Sequence, residues 1–379
     1  MGFALNGNRL REARQYRQLT ITKLAEKVNV SKQMISKYER ENASPGLDVV
    51  QKIIKALDFP LEFFTSYDKL NFSNEGTFFR SRLTATQAEK SPSETFKKAV
   101  GITGDFFSRY VEFPELFNRE TKSRSPRNAA IELRNLWELG DQPISNMIRL
   151  LESHGIIVSI SNSNSSKVDA NSGYIEVNDH RYYIILIDSN SRSFYRQQFS
   201  LAHELGHFIL HAESFDPQTL EAPEYRQMEN EADEFASEFL LPEESFKKSL
   251  DKEIMNLDWY INLKRKWFVS AASMIYRARN LEILTADQYL RLQKRISYHK
   301  WRKEEPLDSV TPANFPQLLK QALDLIEQAD IFKVNELSEL LGKNYGIPYP
   351  NEMLSQIIGI PLTRFNGEVV QLKKYNIQN

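Results

Sequence analysis

One stretch, FSLAHELGHFILHAES at Phe199–Ser214, constrains the fold of this 379-residue chain more than any other. Its apolar residues recur at helical spacing, and the helix they define carries three of the chain's six histidines at intervals of four: His203, His207 and His211. The first two frame the pattern H-E-x-x-H. Residues four apart on a helix stand one above the other, so both imidazoles can face one ion while Glu204 reaches the water that ion binds. His203 and His211 are separated by eight residues, about 12 Å along a helix axis. Two nitrogens on one zinc lie within about 4 Å of each other. A straight helix therefore cannot supply all three ligands, and a second element must provide the missing donor.

The acidic stretch QMENEADEFASEFLLP, Gln227–Pro242, is that element. Ala232, Phe235, Ala236, Phe239 and Leu240 form one helical stripe that must face a core. On a helical wheel Glu229 falls within about 60° of the stripe's centre, Glu231 roughly 100° off on one flank, and Glu234 outward. Glu229 is the best-aimed carboxylate, with Glu231 its main rival. Asp233, one turn after Glu229, can accept a hydrogen bond from a ligand imidazole. Two His and one Glu around Zn2+ leave a fourth position for water, the arrangement of a hydrolytic site, in which Glu204 is the base. The apolar run YYIILID, Tyr182–Asp188, reads as a strand that could pair with an extended peptide. For the oxyanion stabiliser His180, Tyr182, Tyr183, His211, Tyr276 and Arg277 are candidates among which the sequence does not choose.

The chain has no cysteine, which removes disulfides, cysteine nucleophiles and thiolate zinc sites. No apolar leader and no membrane-length run occur, so a cytoplasmic protein with no membrane partner is expected. Charge balances overall, with 49 Lys+Arg against 50 Asp+Glu, but not locally. Through Thr65 eleven bases face seven acids, a net of +4, whereas Glu221–Glu244 holds nine acids and only Arg226 as a base.

The basic segment reads as a compact all-helical unit. Leu10, Ala13 and Tyr16 line a first helix. Thr20 caps a second bearing Leu24, Ala25 and Val28. After the turn NVS, Ser31 caps a third bearing Met34, Ile35 and Tyr38, and Val49, Val50, Ile53, Ile54 and Leu57 line a fourth. Two short helices joined by a tight turn, the second polar outside, suit the major groove of double-stranded DNA. Ser31, Lys32, Gln33, Ser36 and Lys37 face outward to reach base edges and phosphates. The stretch LTITKLAEKVNVSKQMISKYERENASP resembles the Cro/repressor (XRE) family of helix-turn-helix domains over residues 8–64. Family members often carry Gln after the Thr that opens the second helix; Ile21 stands there, which removes a usual phosphate contact.

Residues 66–93 lack pattern apart from the aromatic island TFFRSR and read as a linker. Residues 93–140 read as helical, and Pro143 opens another helix closed by Gly155. Strands come next at IIVSI, GYIEV and YYIILID, with a Ser/Asn-rich loop at 161–167 and a turn at Asn178–Asp179, making a small antiparallel sheet. Beyond Val269 the chain is helical again, Pro348, Pro350 and Pro361 break the pattern near its end, and GEVVQLKK (367–374) reads as a last strand.

RQQFSLAHELGHFILH followed by ENEADEFASEFLLP resembles the ImmA/IrrE family of metallopeptidases over residues 127–298. The resemblance implies a zincin-like core and proteolysis of DNA-binding repressors. It also implies two His ligands, a Glu base and a downstream Glu ligand, which fall on His203, His207, Glu204 and Glu229. The expected fold class is mainly α with a small antiparallel sheet (α+β). The expected domains are a helix-turn-helix domain at 1–65, a linker and helical connector at 66–126, a metallopeptidase domain at 127–300 and a region without assigned role at 301–379. The expected function is a DNA-binding regulator with a zinc endopeptidase, latent or conditional, that cleaves a repressor-type protein or itself. The alternatives are a repressor with a non-proteolytic metal sensor or scaffold, and an antitoxin-like interaction protein. Palindromic operators would imply a homodimer.

Overall fold

The computed structural model describes residues 4–81, 87–117, 123, 125–161, 168–188, 193–212, 220–250 and 253–366. The strand expected at 367–374 lies outside the described residues, as does most of the 161–167 loop. The chain divides into two compact units. Among the described residues it is mainly helical, with one four-stranded sheet.

The first unit comprises Met1–Leu70, Arg109–Val111 and Leu319–Asn379. Its helices are α1 (Gly7–Tyr16), α2 (Ile21–Val28), α3 (Lys32–Glu39), α4 (Leu47–Leu57) and α5 (Leu61–Thr65), and the first three begin where a short polar side chain occupies an orphan N–H. Asn6 accepts from Arg9 N, Thr20 from Lys23 N and Ser31 from Met34 N. Asn29, left-handed at φ 58°, ends α2 and sets the turn into α3. Leu10, Ala13, Leu24, Ala25, Val28, Ile35, Val50, Ile53 and Leu57 close the core. Beside it Arg14 is paired with buried Glu39 through Nε (2.5 Å) and Nη2 (3.0 Å).

The carboxy-terminal residues, to which the sequence assigned no role, supply the rest of this unit. Helices at Leu318–Gln328, Leu337–Tyr345 and Asn351–Ile358 bring Tyr349 against Phe63, ring centroids 6.2 Å apart. Lys69 N donates to Tyr345 O at 2.9 Å, and Arg17 pairs with Glu352 at 2.9 Å. Gly346 turns the chain at φ 73°, and a Cβ there would lie 1.9 Å from Tyr67 O.

The second unit, Asn71–Ser108 with Glu112–Leu318, holds the sheet. Its strands are β1 (Phe72–Ser81), β2 (Ile157–Ser161), β3 (Val168–Val177) and β4 (His180–Asp188), in the order β1-β3-β4-β2. β3 pairs antiparallel with both neighbours, while β2 runs parallel to β4, so the sheet is mixed rather than wholly antiparallel. β1 falls in the stretch expected to be a linker. The β3–β4 hairpin turns at Asn178, φ 54°, a residue that tolerates the left-handed region.

α6 (Gln87–Ser108), α7 (Pro126–Leu136) and α8 (Met147–Glu152) follow the chain around the sheet. α8 starts four residues later than Pro143, where Asn146 caps Arg149 N. The centre of the unit is α9 (Phe194–Leu210) on β3 and β4, with α10 (Ala222–Leu240) against α9. Tyr183 of β4 and Phe208 of α9 meet with ring centroids 4.5 Å apart, tilted by 52°. Leu201, Leu205, Phe235, Phe239, Trp267 and Met274 belong to one buried core. Gly206 lets the two helices approach: a Cβ there would sit 3.2 Å from both Cα and O of Ala232.

Candidate metal centre

α9 is buried on nearly every side, so its polar residues lie in the interior with it. His203, Glu204 and His207 are each at most 1% exposed. The Nε2 atoms of His203 and His207 face each other at 3.0 Å. Across the helix pair, Glu229 Oε2 lies 3.5 Å from His203 Nε2 and Oε1 lies 3.5 Å from His207 Nε2. Around a tetrahedral zinc with bonds near 2.0–2.1 Å, donor atoms stand about 3.3 Å apart. The three spacings bracket that value, and these three residues are the group of donors that can close on one ion among the described residues.

Two further features fit a cation. Glu229 Oε1 is buried and makes no hydrogen bond, although His207 Nε2 stands 3.5 Å away. Burial pushes the Glu229 carboxyl up, but the His203 and His207 rings outweigh it and hold the group well below the usual carboxylate range.

The outer nitrogens are all engaged. His203 Nδ1 bonds Asp233 Oδ1 at 2.7 Å. His207 Nδ1 lies 3.1 Å from His211 Nδ1, and His211 Nε2 lies 2.9 Å from Glu231 Oε2. Glu231 thus faces His211 rather than the ligand nitrogens. Burial, with the neighbouring His207, pushes His211 down to about 4 against the pull of Glu231.

Glu204 Oε2 accepts from Ser172 Oγ at 2.5 Å, and Ser172 Oγ accepts in turn from Tyr183 OH at 3.0 Å. Ser172 was missed by sequence reasoning; it lies on β3, one register step from Tyr174↔Tyr183 on the same face. Tyr225 was missed too. It sits one turn before Glu229 on α10 and hydrogen-bonds to it, and burial with the charges of Glu229 and Glu204 raises its phenol. The signal that could have found it is the i, i+4 spacing to Glu229. Lys97 on α6, fully buried, is pushed down to about 7 by burial against the charges of Glu94 and Glu204.

The other oxyanion candidates lie elsewhere. His180 Nδ1 and Tyr182 OH both bond Asp105 Oδ1, at 2.9 and 3.0 Å. Arg277 is held by the Glu238 carboxylate and by Leu241 O. Tyr276 lines a cavity of about 1000 Å3 that opens beside Asp233 and is also lined by Arg196, Ser200, Tyr289 and Lys303. The strand Tyr182–Asp188 cannot take a peptide as the sequence suggested: β4 is paired on both sides, and the sheet's edges are β1 and β2.

In the first unit Ser31, Lys32, Gln33 and Lys37 are exposed on α3 and Ser36 is half-buried. The Ser31 hydroxyl is engaged as the cap.

Comparison with known proteins matches residues 10–64 to the helix-turn-helix family and residues 151–279 to the IrrE N-terminal-like domain of peptidase family M78. An HTH-type transcriptional regulatory protein of Methanococcus maripaludis is 28% identical over 180 residues, covering 44% of this chain and 55% of the relative. One from Methanocaldococcus jannaschii is 26% identical over 165 residues, 41% and 48%. The HTH-type transcriptional regulator ImmR of Bacillus subtilis is 27% identical over 89 residues, 24% of this chain and 70% of the relative. The chain thus spans about half the length of the methanogen relatives it matches. Among the described residues no helix is long and apolar enough to cross a membrane.

Proposed function

For a chain that carries an XRE-type helix-turn-helix domain and an ImmA/IrrE-like domain, we propose a DNA-binding transcriptional regulator whose second domain is a zinc-dependent endopeptidase. The observation that carries this reading is the convergence of His203, His207 and Glu229, with the Glu204 carboxylate beside them. These three residues would hold Zn2+, which when bound makes water acidic and polarises a peptide carbonyl.

The chain's own residues do the rest. Glu204, fixed by Ser172 and through it by Tyr183, takes the proton of the attacking water and passes it to the leaving amine. Tyr225, next to Glu204, has one O–H, which bonds Glu229 in the resting site and would turn from it to donate to the carbonyl oxygen as charge develops there. Burial around α9 keeps bulk water from the carboxylate, which strengthens each of these interactions. A separate base beside the ligands favours peptidase over a passive metal sensor or scaffold, since holding an ion needs no such group.

The substrate is a repressor-type protein or another copy of the chain. Lys32, Gln33, Ser36 and Lys37, with Ser31 at the helix start, form the face that meets double-stranded DNA, bound as a homodimer on a palindromic operator. Two measurements test the proposal. A chelator should abolish cleavage of a repressor substrate, and one equivalent of zinc should restore it. Gln33→Ala should relax operator selectivity, while Lys37→Ala should weaken binding to all sequences and flatten the salt dependence. Cleavage that survives metal removal refutes the first half, and unchanged DNA binding in both variants refutes the second.

A further inference from the structure

We propose that His211 and Glu231 are the positioning pair for the ligand His207, a role that rests on the reading of His203, His207 and Glu229 as the zinc ligands. The argument is one of proton accounting. His207 and His211 meet through like atoms, Nδ1 to Nδ1, at 3.1 Å. Such a contact bonds only when one nitrogen carries the proton and the other offers its lone pair.

The other side of His211 decides which. Its Nε2 lies 2.9 Å from Glu231 Oε2, and a carboxylate only accepts, so His211 Nε2 carries the proton. With its one N–H on Nε2 the His211 imidazole offers its Nδ1 lone pair, the acceptor that the Nδ1–Nδ1 contact requires. His207 Nδ1 is therefore the donor, and the His207 Nε2 lone pair faces His203 Nε2 at 3.0 Å and Glu229 Oε1 at 3.5 Å, where the ion belongs. Glu231 is steadied in turn by Gln227 Nε2, which donates to its second oxygen at 2.9 Å.

α10 then serves the centre three times. Glu229 faces the ion, Asp233 holds His203 Nδ1 directly, and Glu231 holds His207 Nδ1 through one interposed imidazole. The helix that puts His211 too far along to bind the ion puts it one turn below His207, within reach of its outer nitrogen. A carboxylate acting through a ligand's N–H fixes the tautomer and ring plane and raises the donor's basicity, an effect worth about 10–100-fold in metal affinity.

Zinc competition against a chromophoric chelator tests this in the full-length protein, without any protease assay. His211→Ala and Glu231→Ala should each weaken zinc binding about 10–100-fold. The double variant should be no worse than either single one, because the two act in series. His211→Asn, whose Oδ1 can take the place of the Nδ1 acceptor, should recover most of the affinity. With Co2+ in place of zinc, the visible ligand-field spectrum should shift in the Ala variants and return in His211→Asn. If His211→Ala fails to fold, Glu231→Ala and His211→Asn still decide. Wild-type zinc affinity and spectrum in Glu231→Ala, or additive losses in the double variant, overturn the pairing. Wild-type protein that binds no zinc would instead sink the metal assignment itself, which separates the two failures.

Discussion

Gly206→Ala probes how closely α9 and α10 must approach. The new Cβ would stand 3.2 Å from Ala232 Cα, Ala232 O and Phe235 Cδ1, against about 3.5–4.0 Å for a relaxed carbon contact. Two of the three neighbours are backbone, so α10 must move by a few tenths of an ångström. Two terms oppose each other in stability. Alanine gains about 1 kcal/mol over glycine in a helix interior, and overpacking costs about 1–3 kcal/mol. The net is a loss of about 0–2 kcal/mol, small enough for the chain to stay folded. The metal centre feels the same displacement more sharply, because Glu229 rides on α10 while both histidines ride on α9, and metal sites tolerate about 0.2 Å. Zinc affinity should therefore fall about tenfold or more, equivalent to about 1.4 kcal/mol, while the melting temperature falls by at most about 8 °C. Competition titration with thermal unfolding of the metal-free protein measures both. Wild-type zinc affinity together with a raised melting temperature would mean that only helix propensity changed, and would refute the close-approach argument.

Other perturbations separate the roles. Tyr225→Phe should keep zinc yet lower kcat about 10²–10³-fold with KM little changed, read by steady-state kinetics on a repressor substrate; an unaltered kcat removes Tyr225 from the chemistry. Gly346→Ala forces a side chain into the left-handed region and onto Tyr67 O, so the first unit should lose at least about 2 kcal/mol and the 67–69 segment should become sensitive to limited proteolysis; an unchanged melt contradicts the packing of the carboxy-terminal helices there. Burial raises Glu152 from 4.5 to about 7, against hydrogen bonds from the N–H groups of Leu318 and Gln317. Its folded value lies above the unfolded one, so its stabilisation is complete below about pH 4.5 and is lost as pH rises through about 7, a change of about 3 kcal/mol. Glu152→Gln should flatten unfolding free energy over that window, and a wild-type slope in the variant would exclude Glu152 as its source.

The sites differ in how far the sequence revealed them. Thr20 and Ser31 were readable as caps because a short hydroxyl before an apolar stripe has one cheap use. The helical wheel aimed Glu229 inward and put Asp233 one turn on, and the structure brings both to the histidines at 3.5 and 2.7 Å. His211 shows the limit of that reasoning: spacing removed it from the ion but did not reveal what it would touch. Ser172 and Tyr183 depend on sheet register, which no local pattern specifies before the strands pair. β1 does not alternate, and the parallel pairing of β2 with β4 is a matter of topology rather than of either strand's residues. Tyr349 against Phe63 joins residues far apart in the chain, and an apolar helix face does not name its partner.

Glu204→Gln beside wild type tests the central claim most directly, with zinc content and cleavage of repressor-type proteins measured on the same preparations, with and without DNA. Both proteins should hold one zinc per chain, and wild type alone should cut. If both hold zinc and wild type cuts nothing that Glu204→Gln spares, the carboxylate beside the metal is not a base and the peptidase assignment fails.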